Sequence, residues 1–373
     1  MSASVKKILE NKNLQFDEIK TLLRLRPPAN LILLNKALDI KSKTVGRKVY
    51  LRGLIEYSNR CAKNCYYCGI RSENKQCQRY QMADNEVIDA AKFAYQNRFA
   101  SIVIQSGEDS SIRFISTIEY LLGEIRKLTN GELHITLSLG EQSRETYQRW
   151  FDAGAHRYLL RIETSNPVLY KKLHPSDKLH DFNHRLDTLK ILREVGYQVG
   201  TGVMIGLPFQ TIDDLAEDLL FFRKIDVDMV GMGPYIEHEE TPLFEFSDTL
   251  LPLKERLEIS LNMVAVLRIM MKNINIAATT AMQTIDPQGR ERALLAGANV
   301  MMPNLTPAKY RDSYLLYKDK SGVADDASGS KNAMEESILL AGETIGYGEW
   351  GDSQHYELRT TNYATKKKRT PRI

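Results

Sequence analysis

The sequence predicts an α/β protein, a (β/α)8 TIM-type barrel with an N-terminal helical extension and a C-terminal cap. Eight strand candidates alternate with seven helix candidates over residues 51–304. Each crossover is long enough for a βαβ unit, and the strand runs are nearly continuous in Val, Ile, Leu and Met, as in parallel sheets covered on both faces. The length of this span matches the roughly 250 residues of such a barrel. An open doubly wound sheet is the main alternative.

Apolar runs and cap residues define the barrel elements in order. The strand candidates are 51–59, 101–109, 134–141, 156–164, 199–208, 227–235, 274–280 and 298–304. Helices are expected to begin at Asp84, at the N-cap Ser143, at the capping box Thr211–Asp214 and near Pro252. Helix ends are expected at Gly154 and Gly196. These signals place a helix after each of the first six strands, and a seventh, shorter helix ends at Gly297.

Two extensions flank the barrel. Residues 1–50 have a helical period, and the segment 25–30 breaks them into two pieces. Residues 305–373 form a C-terminal extension, in which 324–332 is expected to be a mobile loop and the basic tail 366–373 is expected to be disordered. Three tyrosines near its start are expected to cap the barrel mouth: Tyr310, Tyr314 and Tyr317.

Composition excludes several function classes. The chain has 373 residues with 51 basic and 47 acidic side chains, a net charge of +4, which makes no case for nucleic acid as the main partner. The most apolar stretch, 262–285, is interrupted by Arg268 and Lys272 and is not a membrane span. The N-terminus has no secretory h-region, and four cysteines cannot form a disulfide framework. We therefore expect a cytoplasmic enzyme with no membrane or nucleic-acid partner.

Polar and small residues follow the predicted strands at their carboxyl ends. Such groups occur at 56–59, 105–109, 138–141, 161–164 and 278–280. Barrel active sites are assembled at this end from several strands. The sequence therefore predicts a functional site at the carboxyl-terminal rim.

Cys61, Cys65 and Cys68 follow the first strand with the spacing C-x3-C-x2-C. In a reducing compartment, three thiols in one short loop indicate a metal centre. Structural zinc requires four ligands, and Cys77 could supply the fourth, so zinc remains an alternative. A 4Fe–4S cluster held by three cysteines leaves one iron without a protein ligand, open to a small molecule.

This motif, in the loop after the first strand of a barrel, resembles the signature of the radical S-adenosylmethionine superfamily. The resemblance implies a 4Fe–4S cluster whose open iron is chelated by the amino and carboxylate groups of S-adenosylmethionine. It also implies that the reduced cluster breaks the S–C5′ bond to give a 5′-deoxyadenosyl radical. Tyr67 matches the aromatic residue found before the last cysteine, and Ser106-Gly107-Glu108 resembles the GGE-type motif that holds the methionine amino group.

Within that superfamily the chain most resembles the HydE family of FeFe-hydrogenase maturases, over roughly residues 50–318. Segments such as YLLRIETSNP, GVMIGLPFQTIDDL and ATTAMQTIDPQGR carry the match. The resemblance implies that Glu163 and Arg185 bind the methionine end of S-adenosylmethionine and that Tyr314 lies close to the radical. It also implies an anion pocket in the barrel mouth for a substrate carboxylate, formed by Thr136, Arg161, Thr279 and Thr280.

The implied task is to act on a small iron- and sulfur-containing intermediate during assembly of the hydrogenase diiron centre. A low-potential electron donor and the other hydrogenase maturation proteins would be its partners. One departure concerns residues 322–337, which contain none of the three cysteines that hold an accessory cluster in many HydE proteins, so that cluster should be absent. The alternatives are an enzyme of the biotin synthase or methylornithine synthase kind, and a non-catalytic zinc or electron-carrier module.

Overall fold

The computed structural model describes the backbone of residues 2–369 and the side chains of residues 4–361. Its strands, β1 to β11, are Lys48–Ser58, Ser101–Ser106, His134–Ser138, Ala155–Leu159, Gln198–Thr201, Met204–Ile205, Met229–Val230, Gly233–Pro234, Asn275–Ile276, Val300–Met301 and Thr344–Ile345. Its helices, α1 to α15, are Ser2–Glu10, Phe16–Leu23, Leu31–Lys43, Asp84–Gln96, Ile112–Leu128, Arg144–Asp152, Pro167–Leu173, Phe182–Val195, Ile212–Lys224, Leu253–Met270, Thr280–Ile285, Gly289–Leu295, Ala308–Arg311, Ala327–Leu340 and Gln354–Arg369.

Eight parallel strands form a closed barrel. The hydrogen-bonded order is β10-β1-β2-β3-β4-β5-β7-β9. The two ends of this series are also bonded, because Asn299 N–H donates to the Ile276 carbonyl and Ala278 N–H donates to the Val300 carbonyl, both at 2.9 Å. The predicted (β/α)8 barrel is confirmed, and the alternative of an open doubly wound sheet is wrong. The two-residue strands β6 and β8 pair with each other beyond the ends of β5 and β7.

The cap residues mark the helix ends as predicted. Helix α4 begins at Asp84, and the Ser143 hydroxyl accepts a hydrogen bond from Thr146 N–H at the start of α6. Thr211 and Asp214 form the capping box of α9, and α8 is capped by Gly196 in the left-handed conformation.

None of the helices in the described residues combines the length and apolarity that a bilayer crossing requires.

The N-terminal extension contains three helices, so the prediction of two helical pieces is wrong. Residues 11–15 separate α1 from α2, because the Glu18 carboxylate accepts from Gln15 N–H and so caps a new helix. Helices α2 and α3 lie on the outside of the barrel, against α9 and α10. Strand β1 begins at Lys48, inside the segment 1–50 that was assigned to the extension.

The C-terminal extension covers both ends of the barrel and not only the mouth. After β10 the chain crosses the carboxyl-terminal end, where Tyr314 is buried. The segment 324–332 is not the predicted loop, because Asp326 caps α14 and the helix begins at Ala327. Strand β11 then pairs with Lys48 and Val49 of β1 at the opposite end. Helix α15 includes the first part of the basic tail, up to Arg369, and residues 370–373 lie outside the described residues.

Residues 350–353 close the amino-terminal end of the barrel. The Trp350 ring stacks on His134 with ring centroids 3.8 Å apart. Arg52 and Asn275, from inside the barrel, each donate to the Gly351 carbonyl oxygen at 2.9 Å. The Asp352 carboxylate pairs with the buried guanidinium of Arg157. The extension therefore provides hydrogen-bond and ion-pair partners for polar side chains inside the barrel.

We expect Asp352→Asn to destabilise the protein by about 3 kcal/mol, because it leaves the buried Arg157 without its counter-ion. Urea unfolding of both proteins measures the difference in free energy of unfolding. Glu194→Gln is the matched control, since it removes an ion pair with Arg144 in which both side chains are exposed, and it should cost less than about 1 kcal/mol. Equal losses in the two variants would contradict the role assigned to Asp352.

His156 should make stability fall as the pH falls. Burial, with His134 and Arg157 nearby, lowers the pKa of His156 to about 4. The unfolded chain binds a proton at roughly pH 6.5, whereas the folded protein does not until about pH 4, so acidification over that window favours unfolding. His156→Phe keeps a ring against His134 and removes this proton. Between pH 6.5 and pH 4, the free energy of unfolding should then depend less steeply on pH, by an amount equivalent to the uptake of up to one proton on unfolding.

Candidate functional site

The three cysteines lie in the loop between β1 and α4, and two polar side chains hold this loop in shape. Asn59 donates to the carbonyl oxygens of Gln78 (2.7 Å) and Ser313 (2.6 Å). Arg79 donates to a set of loop carbonyl oxygens, those of Asn59, Ile70, Arg71, Ser72 and Asn74. Sequence reasoning missed Arg79, because it lies outside the cysteine motif and only the folded loop brings these carbonyls around it.

The side chains of Cys61, Cys65 and Cys68 are half-buried. Burial raises the pKa of all three, to about 12 for Cys65. The backbone N–H of Glu108 donates to Cys61 Sγ at 3.3 Å. Hydrogen bonds to sulfur are among the features by which proteins tune iron–sulfur clusters. Three half-buried thiols, one of them with a main-chain donor, therefore suit an iron–sulfur cluster.

Cys77 lies apart from the other three cysteines. Its thiol lies 3.8 Å from the Ser313 carbonyl oxygen and 3.4 Å from the Asn59 amide nitrogen. In the part of the chain that the structure describes, no three His, Cys, Asp or Glu side chains converge as ligands of one metal ion do. In a 4Fe–4S cluster each cysteine binds a different iron, so its ligands need not converge on one point.

The end of β2 packs directly against the cysteine loop. A side chain at Gly107 would overlap the Arg60 carbonyl oxygen and Cys61, so only glycine allows this contact. Ala62 N–H donates to the Glu108 carbonyl at 2.8 Å, and the Ser106 hydroxyl donates to the Gly107 carbonyl at 2.6 Å. The predicted Ser106-Gly107-Glu108 motif therefore lies beside the loop, with its backbone against Cys61.

A buried charge network joins Glu108 to the rim. Lys63 pairs with Glu108 at 3.3 Å and with Glu141 at 2.7 Å. Arg185 pairs with Glu141 and donates to the Arg161 carbonyl at 2.6 Å. Although burial alone would raise the pKa of Glu141, Arg185 and Lys63 together lower it below its ordinary value. Lys63 and Glu141 were not among the predicted site residues, because their pairing connects elements 78 residues apart.

Glu163 and Arg185 lie near the cysteine loop but have different partners here. Glu163 pairs with Arg161 at 2.9 Å, and Arg185 pairs with Glu141. Both lie within electrostatic reach of Tyr67. Glu163 has a φ of +65°, a conformation that few non-glycine residues adopt, and strained backbone of this kind clusters at functional sites.

Tyr67 is half-buried and packs against His174, with ring centroids 5.4 Å apart. The Tyr67 hydroxyl lies 3.2 Å from His174 Nε2, and His174 Nδ1 lies 2.9 Å from the Tyr170 carbonyl oxygen. Because a carbonyl can only accept, Nδ1 carries the proton and Nε2 accepts from the tyrosine. Burial lowers the pKa of His174 to about 3, which keeps this tautomer neutral.

The predicted anion-pocket residues lie at two levels of the barrel. Thr136 pairs in register with Arg157, whereas Arg161 follows four residues later, roughly 13 Å further along the strand direction. The Thr136 hydroxyl is buried without a hydrogen-bond partner among the described residues. At the rim, Thr279 lies 3.5 Å from the Met232 carbonyl, and Thr280 accepts from Arg290 at 2.9 Å. The structure therefore does not bring all four into one contact cluster.

Four glycines occur in β5, β7 and β8 and the turns beyond them, and one of them borders open space inside the barrel. At residues 200, 202 and 233 an added Cβ would lie within 3.0 Å of a neighbouring atom, so these glycines allow close packing. Gly231 is buried, yet a Cβ there would meet no atom within 4 Å. Tyr314 covers the mouth; it is 1% exposed, and its hydroxyl accepts from Gln105 at 3.2 Å. The Lys320 ammonium lies 5.1 Å from the centre of the Tyr314 ring.

Fold and site together define a radical S-adenosylmethionine enzyme. The family model of the radical SAM superfamily matches residues 55–222. A 4Fe–4S cluster and S-adenosylmethionine are the cofactors of this class, and the three half-buried thiols, one with a backbone N–H donor, fit such a cluster.

The chain belongs to the HydE family. It is 46% identical over 322 residues to the FeFe hydrogenase maturase subunit HydE of Thermotoga maritima, a match that covers 86% of this chain and 88% of that protein. It is 27% identical over 302 residues to the 3-methylornithine synthase of Methanosarcina acetivorans, covering 79% and 81% of the two chains. The crystal structure of methylornithine synthase (PylB) superposes with a TM-score of 0.77 at 21% identity, over 95% of this chain and 99% of that one, which shows the shared fold.

We expect Gly107→Ala to reduce cluster binding. The added methyl group overlaps the Arg60 carbonyl and Cys61, so the cysteine loop must move, at a cost of about 1–3 kcal/mol. Iron and sulfide per chain after anaerobic reconstitution measure the effect. Gly123→Ala in α5 is the control, because a Cβ there meets nothing within 4 Å. Full iron content in Gly107→Ala would contradict the packing argument.

Proposed function

We propose that this protein is a HydE-type maturase, which reductively cleaves S-adenosylmethionine and acts on a small iron- and sulfur-containing intermediate of the FeFe-hydrogenase diiron centre. The observation that carries the proposal is the 46% identity to HydE of Thermotoga maritima over most of both chains. Identity to 3-methylornithine synthase is much lower, at 27%. The other hydrogenase maturation proteins and a low-potential electron donor are its proposed partners.

Cys61, Cys65 and Cys68 would hold the cluster, which supplies the electron for homolysis of the S–C5′ bond. We assign the methionine end of S-adenosylmethionine to two acidic groups and a guanidinium. Glu108, with Ser106 and Gly107, and Glu163 would bind the ammonium, and Arg185 would bind the carboxylate. Charge complementarity supports this assignment. Tyr67 would pack beside the cofactor, held by His174.

In this binding mode the side chains of Arg185 and Glu163 must each form hydrogen bonds with the cofactor in addition to, or in place of, their present partners. Arg185 can keep Glu141, since a guanidinium has five N–H donors. Glu163 now accepts from Arg161, and release of that pair would free Arg161 for the substrate anion. The cofactor and the substrate would thus each take one partner of the present Arg161–Glu163 pair.

The proposed substrate lies in the barrel interior, beside the open space at Gly231. Thr136 offers an unpartnered hydroxyl at depth, and Arg161, Thr279 and Thr280 offer donors at the rim. Tyr314, buried over the mouth, would exclude water from the radical and lie near it. The barrel base is closed by residues 350–353, so entry would be from the rim.

The experiment uses anaerobically reconstituted protein and three measurements: iron and sulfide content, the EPR spectrum of the reduced protein with and without S-adenosylmethionine, and 5′-deoxyadenosine formed under reduction. We expect a spectrum that changes on cofactor addition and formation of 5′-deoxyadenosine. Cys61→Ala should lose both. Cys77→Ala is the matched control and should keep both, because Cys77 lies apart from the other thiols.

Substrate class is tested separately. The assay mixture contains the immature hydrogenase and every maturation protein except HydE. Addition of the protein should restore hydrogenase activity, and addition of Cys61→Ala should not. If the protein cleaves S-adenosylmethionine but fails in this mixture, and instead forms 3-methylornithine or biotin, the HydE assignment is wrong. Full iron content in Cys61→Ala would overturn the whole mechanism.

A further inference from the structure

Arg290 is a buried arginine to which the protein offers few partners. It is the second residue of α12 and is 6% exposed. It donates to the Thr280 hydroxyl oxygen at 2.9 Å, and its Nε is buried without a partner among the described residues. It forms no ion pair within the described part of the chain, although Glu291 and Asp325 act on it from further away. Burial lowers the pKa of Arg290 to about 10, so the side chain is charged at neutral pH.

The other buried arginines of the described residues each have two or more protein acceptors. Three of them pair with a carboxylate, namely Arg157, Arg185 and Arg256. Two others use every guanidinium nitrogen to donate to an oxygen atom, namely Arg268 and Arg311. Arg52 donates to a carbonyl oxygen and to a thioether sulfur. Arg290 therefore has the fewest acceptors, and a buried cation that lacks partners in the protein is explained by a ligand that supplies them.

Close packing of α12 on α11 holds Arg290 against Thr280. A Cβ at Gly289 would lie 2.1 Å from the Met282 carbonyl oxygen, so α12 begins in contact with α11 because residue 289 is glycine. Thr280 is the first residue of α11. Because a guanidinium can only donate, the Thr280 oxygen accepts from Arg290, and the hydroxyl proton remains for another acceptor. None of the described residues accepts that proton. Arg290 thus fixes the Thr280 hydroxyl as a free donor at the rim.

Tyr317 connects Arg290 to the mouth of the barrel. Burial raises the pKa of Tyr317 to about 12, whereas Arg290 and Arg161 both act to lower it, so the phenol lies within electrostatic reach of both guanidinium groups. Arg161 follows β4 and Thr280 follows β9, and β5 and β7 lie between these strands in the barrel. A molecule beside Tyr317 would therefore meet positive charge from two sides of the rim.

We propose that Arg290 is a substrate-recognition residue, which positions the Thr280 hydroxyl as a donor and supplies the positive charge for a substrate carboxylate bound at the rim beside Tyr317. The inference rests on the proposed function and names the group by which that site selects an anionic substrate. Arg161 does not replace Arg290 in this role, since its Nε pairs with Glu163 and its Nη2 donates to the Val203 carbonyl at 2.9 Å. No covalent bond is formed or broken in this recognition.

The test compares two probes of nearly the same shape. Methylthioacetate carries a carboxylate beside a sulfur atom, and methylthioacetamide is its neutral analogue. Calorimetric titration of the anaerobically reconstituted holoprotein, with S-adenosylmethionine present, measures the dissociation constant of each probe. We expect the wild type to bind the carboxylate roughly tenfold or more tightly than the amide, and Arg290→Met should reduce this preference by roughly tenfold, because hydrogen bonds to charged groups are the stronger ones. Arg290→Lys, which keeps the charge, should retain part of the preference.

A double-mutant cycle tests whether Arg290 acts through Thr280. Thr280→Val keeps the shape of the side chain and removes the hydroxyl, so it should also lower the preference for the carboxylate. The double variant Arg290→Met/Thr280→Val should lose little more than the more affected single variant, since both changes remove one shared interaction. Arg292→Met is the matched control, because Arg292 lies in the same helix but pairs with Glu258 and Asp286. It should show the wild-type preference.

Melting temperatures separate recognition from folding. Arg290→Met replaces a charge that has no ion-pair partner with an apolar side chain of similar length, so the melting temperature should not fall. Arg290→Gln provides a second variant, which removes the charge but keeps a donor for Thr280, and it should also lose preference for the carboxylate.

The outcomes distinguish this inference from the proposed function. If Arg290→Met and Arg290→Gln keep the wild-type preference, or if the wild type binds the two probes equally, the inference is wrong while the proposed function stands. Loss of folding in both variants, or a lower melting temperature without a change in preference, makes Arg290 a structural residue and also overturns the inference. If dithionite-reduced wild type forms no 5′-deoxyadenosine from S-adenosylmethionine, the proposed function itself fails.

Discussion

The contact between Gly107 and the backbone of Arg60 and Cys61 is the constraint on which the site depends. It lets the end of β2 approach the cysteine loop closely enough for main-chain hydrogen bonds in both directions, from Ala62 to Glu108 and from Glu108 to Cys61. A loop of this length would otherwise be free to adopt many conformations, and the entropy of ordering it is large. Backbone contacts therefore position the first thiol before any metal is bound.

Buried charges surround the loop, and each is balanced by a neighbour. Lys63 lies between Glu108 and Glu141, and Arg185 takes the other side of Glu141. An isolated charge at these positions would be very costly, and a paired one is costly to disrupt by removing its partner. A cofactor that brings its own ammonium and carboxylate can join such a network by exchange of partners. The same arrangement would hold the rim rigid before the cofactor binds.

The two ends of the barrel are closed by one segment in different ways. At the mouth, Tyr314 and Lys320 lie over the interior, and Lys320 pairs with the buried Glu56. At the base, Trp350 and Asp352 cover polar groups of the strands with stacking and an ion pair. The mouth also adjoins the cysteine loop, because Gly69 N–H donates to the Leu316 carbonyl oxygen at 3.0 Å.

The barrel was predictable from the sequence, because apolar runs of strand length, helix caps and crossover lengths are local features. The sequence also predicts the three cysteines as cluster ligands, because three thiols within eight residues form a local motif. The third N-terminal helix and the start of α14 were missed, since short capping interactions such as Gln15 with Glu18 outweighed the polar composition of those segments. Three features became visible in the folded protein alone: Arg79 organises the loop, Lys63 and Glu141 balance Glu108 and Arg185, and residues 350–353 close the base. These contacts join elements that lie tens to hundreds of residues apart in the sequence. A buried charge or carbonyl group is paired there because packing removes it from water, and a local sequence pattern contains no information about which distant group packs against it.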